Sequence, residues 1–487
     1  MEKKDVFARL VDIVGPESIS DNEADMVSYT SDSYSMLMQK TIPLPDFVIM
    51  PDNAQQVQDI IRLANEHKVP VYPRSFGVNI AASAIPYNGG IVLDLKRMDK
   101  IYEINEDTMT ATIEPGVSWA KLRKEANKKG LDTMPILGPY QAGPVGNFLL
   151  TNITAYSTKH WADRAVTFEA VLPNGEILRT GSQAVEKGAE LNPYFRYAYG
   201  PDITGLFRGS YGNFGTITKM VLALRPKSEI EEIVLYGFND FTQAMDALKG
   251  IERMDITRYC AFYSDYFWMH VLLTPEQLKM EEERKKILSL LPEFVLVAGL
   301  GGNSRQITLY EDMVEEEAVK QGGAKVELEQ EMHKTAWHLS EGASQQVLRM
   351  FAPFSGYMPI IACLPVKQAL GVKKMGEELV KKYGLKDPLS GGPLKPEVLV
   401  IPYDRCSTVY LEQEILFDPM DAESVEKAGR CVREGYATAA SKYGGVHTIP
   451  NKSLLKLMNP SYVSILKGIK KLVDPDGLFM GGPYSLD

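Results

Sequence analysis

The sequence has only four cysteines in 487 residues, and no two of them form a CxxC pair. Cys260, Cys363, Cys406 and Cys431 stand far apart. That spacing excludes a self-contained ferredoxin-type iron–sulfur motif and a c-type haem attachment, gives no disulfide framework, and leaves buried reduced thiols as the expectation. Positive charge is also short: 53 Lys and Arg against 63 Asp and Glu give a net charge of −10. With no basic stripe to set against that balance, no nucleic acid is expected as a partner. No apolar run approaches the roughly 18 residues of a membrane helix. Phe294 to Leu300 and Tyr357 to Val366 come nearest, and they are short or broken by Pro. The N-terminus passes through Met1-Glu2-Lys3-Lys4-Asp5 into an amphipathic pattern with Val6, Leu10 and Val14, not a signal-peptide core. A cytoplasmic protein without a transmembrane segment is expected. Histidines number six, and His333 and His338, five apart, fall on different faces of a helix. The acidic runs Glu281 to Glu283 and Glu315 to Glu317 have no accompanying His and read as solvated helix faces, so no metal site is expected.

At 487 residues the chain exceeds one ordinary core, so two or three domains are expected. Its 45% apolar and 24% charged residues are those of a soluble globular protein. Phe47-Val48-Ile49-Met50 reads as a short strand, and Asp52 or Asn53 as the cap of a helix to about His67, with Val57, Ile60, Ile61 and Ala64 on one face. A second strand then enters Pro73-Arg74-Ser75-Phe76-Gly77-Val78-Asn79. Gly77 can take a positive φ, letting successive N–H groups converge on an anion beside Arg74; a plain structural loop satisfies the same residues. Gly89 to Leu95 and Thr110 to Glu114 are strand-like, and Ser118 caps a helix to about Lys128. Pro173-Asn174-Gly175 between two apolar runs is a hairpin signal, and Thr216 to Leu224 fills like a buried strand. From about Ser228 the texture changes: strands at Glu229 to Phe238, Arg258 to Tyr263, Val398 to Ile401 and Val409 to Phe417, with helices at Phe241 to Ile251, Ala422 to Tyr443 and Tyr462 to Leu472. His447, directly after Gly444-Gly445-Val446, falls at an expected helix exit, where a ring can reach a cleft.

These segments, taken in order, resemble the FAD-binding oxidoreductases of the vanillyl-alcohol oxidase / p-cresol methylhydroxylase superfamily, including its D-lactate and glycolate dehydrogenase branch. Pro73 to Asn79 resembles the pyrophosphate loop, Glu114-Pro115-Gly116-Val117 the turn before the next helix, and Gly143-Pro144-Val145-Gly146-Asn147 the loop passing the flavin ring. Glu169 to Gly175, Asp202 to Phe207, Gly212 to Lys219 and the final Val473-Asp474-Pro475-Asp476-Gly477-Leu478 follow in the family's order. The resemblance implies an α+β fold with a two-part FAD-binding domain of the p-cresol methylhydroxylase type (PCMH-type) over 1–225. It also implies an α+β, ferredoxin-like cap over 226–425 and a C-terminal segment, 426–487, returning to the FAD domain. Pro73, Arg74, Ser75, Phe76, Gly77, Val78 and Asn79, then Gly143, Pro144, Gly146, Asn147, Thr151, Gly215 and Ile217, are the implied cofactor-binding residues.

Departures from the family pattern shape the functional expectation. Where many members tether FAD through a His, this chain has Val78, so FAD held non-covalently is implied. The tyrosine–tyrosine–arginine set and acid of the para-phenol oxidisers fall on Val78, Val446, His447 and Thr151, which disfavours simple para-alkylphenol oxidation. The hydroxy-acid branch is echoed by His447 and Lys452, but its metal-binding histidines are missing from Tyr403 to Tyr410. The resemblance therefore implies an FAD-dependent dehydrogenase acting on an alcohol or 2-hydroxy acid, a small molecule that can be aromatic. His447 is the expected general base, with Arg349, Arg405, Tyr410 and Lys452 on the substrate side. Electrons would pass to a separate carrier protein, a partner subunit or oxygen, and a homo-oligomer is compatible. Two other readings stand beside it: a flavin-dependent group transferase of the alkylglycerone-phosphate synthase type, and a flavin-binding scaffold subunit of a larger redox complex.

Overall fold

A computed structural model describes residues 3–31, 42–78, 83–133, 140–150, 164–185, 187, 194–327, 333, 337, 355–446, 455–483 and 485–486. It is built on four sheets. The first has the order β1-β2-β4-β3, from β1 (Ile19–Ser20), β2 (Phe47–Ile49), β3 (Val71–Arg74) and β4 (Ile91–Asp94). β4 runs parallel to both β2 and β3, with Arg74 opposite Asp94. One face packs on helices α1 (Lys3–Val14) and α3 (Ala54–His67) through Val6, Leu10, Val57, Ile60 and Ile61, each side chain contributing about 1.5–3 kcal/mol of burial. Asn53 is the α3 cap, accepting from Gln56 N–H. The pleat sends Val48 and Val92 to the other face, where Met26 of α2 (Glu23–Val27) and Tyr29 cover them.

The second sheet is antiparallel with the order β5-β6-β10-β8-β9. Its strands are β5 (Ile101–Asn105), β6 (Thr110–Ile113), β8 (Ala165–Val171), β9 (Ile177–Arg179) and β10 (Thr216–Ala223), and the Pro173-Asn174-Gly175 turn joins β8 to β9 with Val171 opposite Ile177. Its core includes α4 (Trp119–Asn127), α5 (Pro144–Leu150) and α6 (Ile203–Phe207). A two-stranded ribbon, β7 (Leu131–Asp132) with β11 (Arg225–Pro226), ends this half of the molecule.

The chain then forms a seven-stranded antiparallel sheet with the order β15-β12-β14-β13-β17-β18-β16. Its strands are β12 (Ile230–Phe238), β13 (Thr257–Ser264), β14 (Phe294–Gly302), β15 (Ala324–Lys325), β16 (Gly356–Pro365), β17 (Glu397–Tyr403) and β18 (Thr408–Phe417). Helices α7 (Phe241–Met254), α11 (Ser304–Lys320), α12 (Ala369–Tyr383) and α13 (Ala422–Tyr443) cover one face. The other face carries Tyr259, Tyr263, Tyr403 and Tyr410, packed with Phe267 and Trp268 of α8 (Asp265–Leu272), behind which lie α9 (Pro275–Lys279) and α10 (Glu281–Leu290). α13 runs through Val425 and Glu426, and its Ala428, Cys431 and Val432 are buried in the core of this sheet.

Two devices join the halves. Asp132, almost fully buried, accepts from Arg123 Nε and from Arg258 Nη2 of the cap, both at 2.9 Å. At the C-terminus, α14 (Pro460–Val473) leads into a return segment in which Leu478 O accepts from Val71 N–H at 2.9 Å and Met480 N–H donates to Val71 O. Lys470 and Asp474, each 1% exposed, pair one turn apart and pin that segment. Lys470 Nζ also donates to Phe479 O at 2.9 Å, while Asp474 accepts from the amides of Leu478 and Phe479. No helix among the described residues is long and apolar enough to cross a membrane.

Candidate functional site

β3 ends at the mouth of an open cleft between the first two sheets. Pro73 and Arg74 from the strand and Ser75, Phe76, Gly77 and Val78 from the loop form one wall. Gly143, Gly146, Asn147 and Leu149 from α5 and its approach form another, and Tyr211, Thr216, Ile217 and Met480 complete the lining. Of the expected cofactor residues, Pro144 and Gly215 flank these walls in sequence, and Asn79 and Thr151 lie outside the described residues.

The walls are shaped by close backbone approach. Gly77 has φ +66°, and a Cβ there would fall 2.2 Å from the Arg74 guanidinium, so the arginine folds back over its own loop only because the side chain is missing. A Cβ at Gly143 would meet the Phe76 ring at 2.9 Å. Trp119 Nε1 donates to Asn147 Oδ1 at 2.7 Å and Trp119 N–H to Ala142 O at 3.0 Å, which fixes the start of α5 against α4. The Arg74 guanidinium stacks 4.7 Å from the Tyr29 ring and has no hydrogen-bond or ion-pair partner among the described residues. Thr216 Oγ1 is likewise buried without a partner among them. A charged fork with five unused donors, a buried hydroxyl and Cβ-free walls together fit a group that is anionic at one end and flat at the other. FAD is such a group.

The expected substrate-side residues are not part of this cleft. Arg405 lies in the β17–β18 hairpin, where Asp404, Arg405 and Cys406 all take positive φ; its side chain is 60% exposed and 3.9 Å from Asp255. Tyr410 is fully buried on the cap face and donates to Glu412 Oε2 at 2.6 Å. Arg349, His447 and Lys452 lie outside the described residues. Val446, immediately before His447, exchanges backbone hydrogen bonds with Cys363, whose partner across the sheet is Tyr410.

Sequence reasoning missed a buried polar row on that face. Tyr357 donates to the second oxygen of Glu412, Glu414 sits opposite Glu397 in register, and Glu397 lies 2.7 Å from His270 Nδ1. Burial pushes the Glu412 and Glu414 carboxyls up, and repulsion from Glu397 adds to it, so this cluster retains protons that free carboxylates would lose. The Tyr-x-Glu-x-Glu alternation from Tyr410 to Glu414 was the available signal.

The fold and cleft together fit a flavoprotein oxidoreductase. Residues 45–181 match the family described as "FAD binding domain", and residues 227–483 match "FAD linked oxidases, C-terminal domain". The chain belongs to the FAD-linked oxidase family, and its cofactor is FAD. It is 31% identical over 254 residues to the glycolate oxidase subunit GlcD of Bacillus subtilis, a match covering 52% of this chain and 51% of that protein. It is 24% identical to the 4-cresol dehydrogenase [hydroxylating] flavoprotein subunit of Pseudomonas putida, over 98% of this chain and 94% of that one. The crystal structure of p-cresol methylhydroxylase superposes with a TM-score of 0.85 at 21% identity, over 99% of this chain and 97% of that one, a likeness of fold.

Proposed function

We propose that the chain is a dehydrogenase that removes a hydride from the carbon of an alcohol or 2-hydroxy acid and passes the electrons to a separate acceptor. The observation that carries it is the Arg74 guanidinium, held at the cleft wall without a counter-charge. Names of relatives that act on glycolate and cresol supply the substrate class. Residues 1–225 are the FAD-binding domain, and the cap extends from 226 to the end of α13, beyond which the chain returns.

FAD, when bound, supplies the two-electron acceptor. Arg74 and the amides around Gly77 would hold its pyrophosphate, and the Gly143 to Asn147 wall would hold its ring. His447 takes the hydroxyl proton as general base, and Arg405, Arg349 or Lys452 pairs with a substrate carboxylate. The FAD is not tethered. Val78 offers no nucleophile, and burial together with Glu412 holds the Tyr410 phenol well above its ordinary pKa, which makes it a poor one.

The test is anaerobic addition of glycolate, D-lactate, 4-cresol and benzylic alcohols to the purified protein. A substrate should bleach the flavin, and His447→Ala should slow bleaching by about 10²–10⁴-fold with flavin content unchanged. Slow reoxidation by air then marks a dehydrogenase, and rapid peroxide formation an oxidase. Turnover with the flavin oxidised throughout would replace this reading with group transfer.

A further inference from the structure

The N-terminal segment lies upstream of residues 45–181, which match the FAD binding domain, yet it supplies the surface on which Arg74 rests. Arg74 and Asp94 are register partners on adjacent parallel strands, so their side chains leave the sheet on the same face. An opposite-charge pair so placed ordinarily closes. Here it does not. Asp94, fully buried, accepts from the Tyr29 hydroxyl at 2.8 Å, from Lys96 N–H at 3.1 Å and from Lys96 Nζ at 3.1 Å. The Arg74 guanidinium instead stacks 4.7 Å from the Tyr29 ring. Tyr29 engages both members: its hydroxyl donates to the carboxylate, which Lys96 also pairs, and its ring carries the cation.

We infer that Tyr29 is a positioning residue for FAD binding, holding Arg74 toward the pyrophosphate by occupying Asp94. The inference rests on the proposed seat of the pyrophosphate at Arg74. Burial and the Asp94 charge keep the Tyr29 phenol protonated, so the hydroxyl stays a donor across the working pH range. Without that hydroxyl, Asp94 keeps Lys96 but loses the donor on its other side, and has an arginine beside it in register. The carboxylate then captures the guanidinium, and the phosphate loses its partner.

The experiment follows flavin release from the full-length holoprotein by the rise of flavin fluorescence on dilution, with circular dichroism to confirm folding. Arg74→Ala tests the seat: release at the wild-type rate refutes the seat itself, whatever Tyr29 does. With the seat sound, Tyr29→Phe should release FAD about tenfold faster, equivalent to about 1.4 kcal/mol. Asp94→Asn should stay within about threefold of wild type, and Tyr29→Phe combined with Asp94→Asn should return to within about threefold of Asp94→Asn alone, because no carboxylate remains to capture Arg74. Tyr29→Leu, which also loses the ring, should be faster than Tyr29→Phe. Should Tyr29→Phe fail to fold alone, the comparison in the Asp94→Asn background stands, since no buried charge is stranded there. Wild-type release from Tyr29→Phe, or a double variant no slower than Tyr29→Phe, overturns the inference and leaves Tyr29 as packing.

Discussion

Replacing Lys470 by Met probes how the C-terminal return holds the cofactor domain together. Lys470 Nζ contacts Asp474 and the carbonyls of Phe479 and Asn213, all away from water, and the segment it pins places Met480 against the cleft. Removing one partner of a buried pair leaves the other charge uncompensated, at a cost of about 3–5 kcal/mol. For a domain of this size that is a fall in melting temperature of about 6–20 °C. Asp474 retains two backbone donors, which argues for the lower half of that range. The double variant Lys470→Met with Asp474→Asn should recover part of the loss, since the neutral amide leaves no uncompensated charge and its oxygen still accepts from a backbone N–H of the return segment. The assay is thermal unfolding of the holoprotein followed by flavin fluorescence, which reports the loss of this domain's ligand directly. A Lys470→Met protein that melts within about 2 °C of wild type, or a double variant less stable than the single, would refute the reasoning.

Other consequences follow from the same geometry. Because Glu412 and Glu414 have folded pKa values raised above those of the unfolded chain, their contribution to stability is full below the carboxylate range and is lost as pH rises through the folded values. The cap should therefore lose up to about 1.4 kcal/mol per pH unit per retained proton, and Glu414→Gln should flatten that slope in pH-dependent melting curves. Gly77→Ala should leave the fold intact apart from about 1–2 kcal/mol of left-handed strain while displacing Arg74, so the purified protein should carry less flavin. At the junction, burial and the neighbouring Arg225 push Arg164 down to about 9, and burial and Arg225 push Arg258 down to about 10, with Asp132 opposing both. Asp132→Ala should cost about 3–5 kcal/mol and speed proteolysis at the segment around Lys227 that links the two halves.

Much of the fold was legible because local chemistry and tertiary role agreed. Asn53 caps its helix, the Asn174-Gly175 turn closes its hairpin, and the long helix from Ala422 to Tyr443 begins and ends where its pattern does. The two-residue strands β1, β7, β11 and β15 were not legible, since only their partners across the sheet define them. The loop after β3 was legible because the positive φ at Gly77 calls for glycine. Tyr29 was not, because its role is set by Arg74 and Asp94, which lie 45 and 65 residues away and meet it only through the parallel register. Lys470 and Asp474 show the same limit: four apart on a helix they look like a surface pair, and only burial makes them a pin.

The most direct test of the account is the visible spectrum of the purified protein, before and after acid precipitation. Flavin absorption bands should be present, the colour should pass into the supernatant, and Arg74→Ala should reduce it. A colourless protein that takes up no added FAD, or colour that stays with the pellet, would contradict the assignment of an untethered FAD to this cleft.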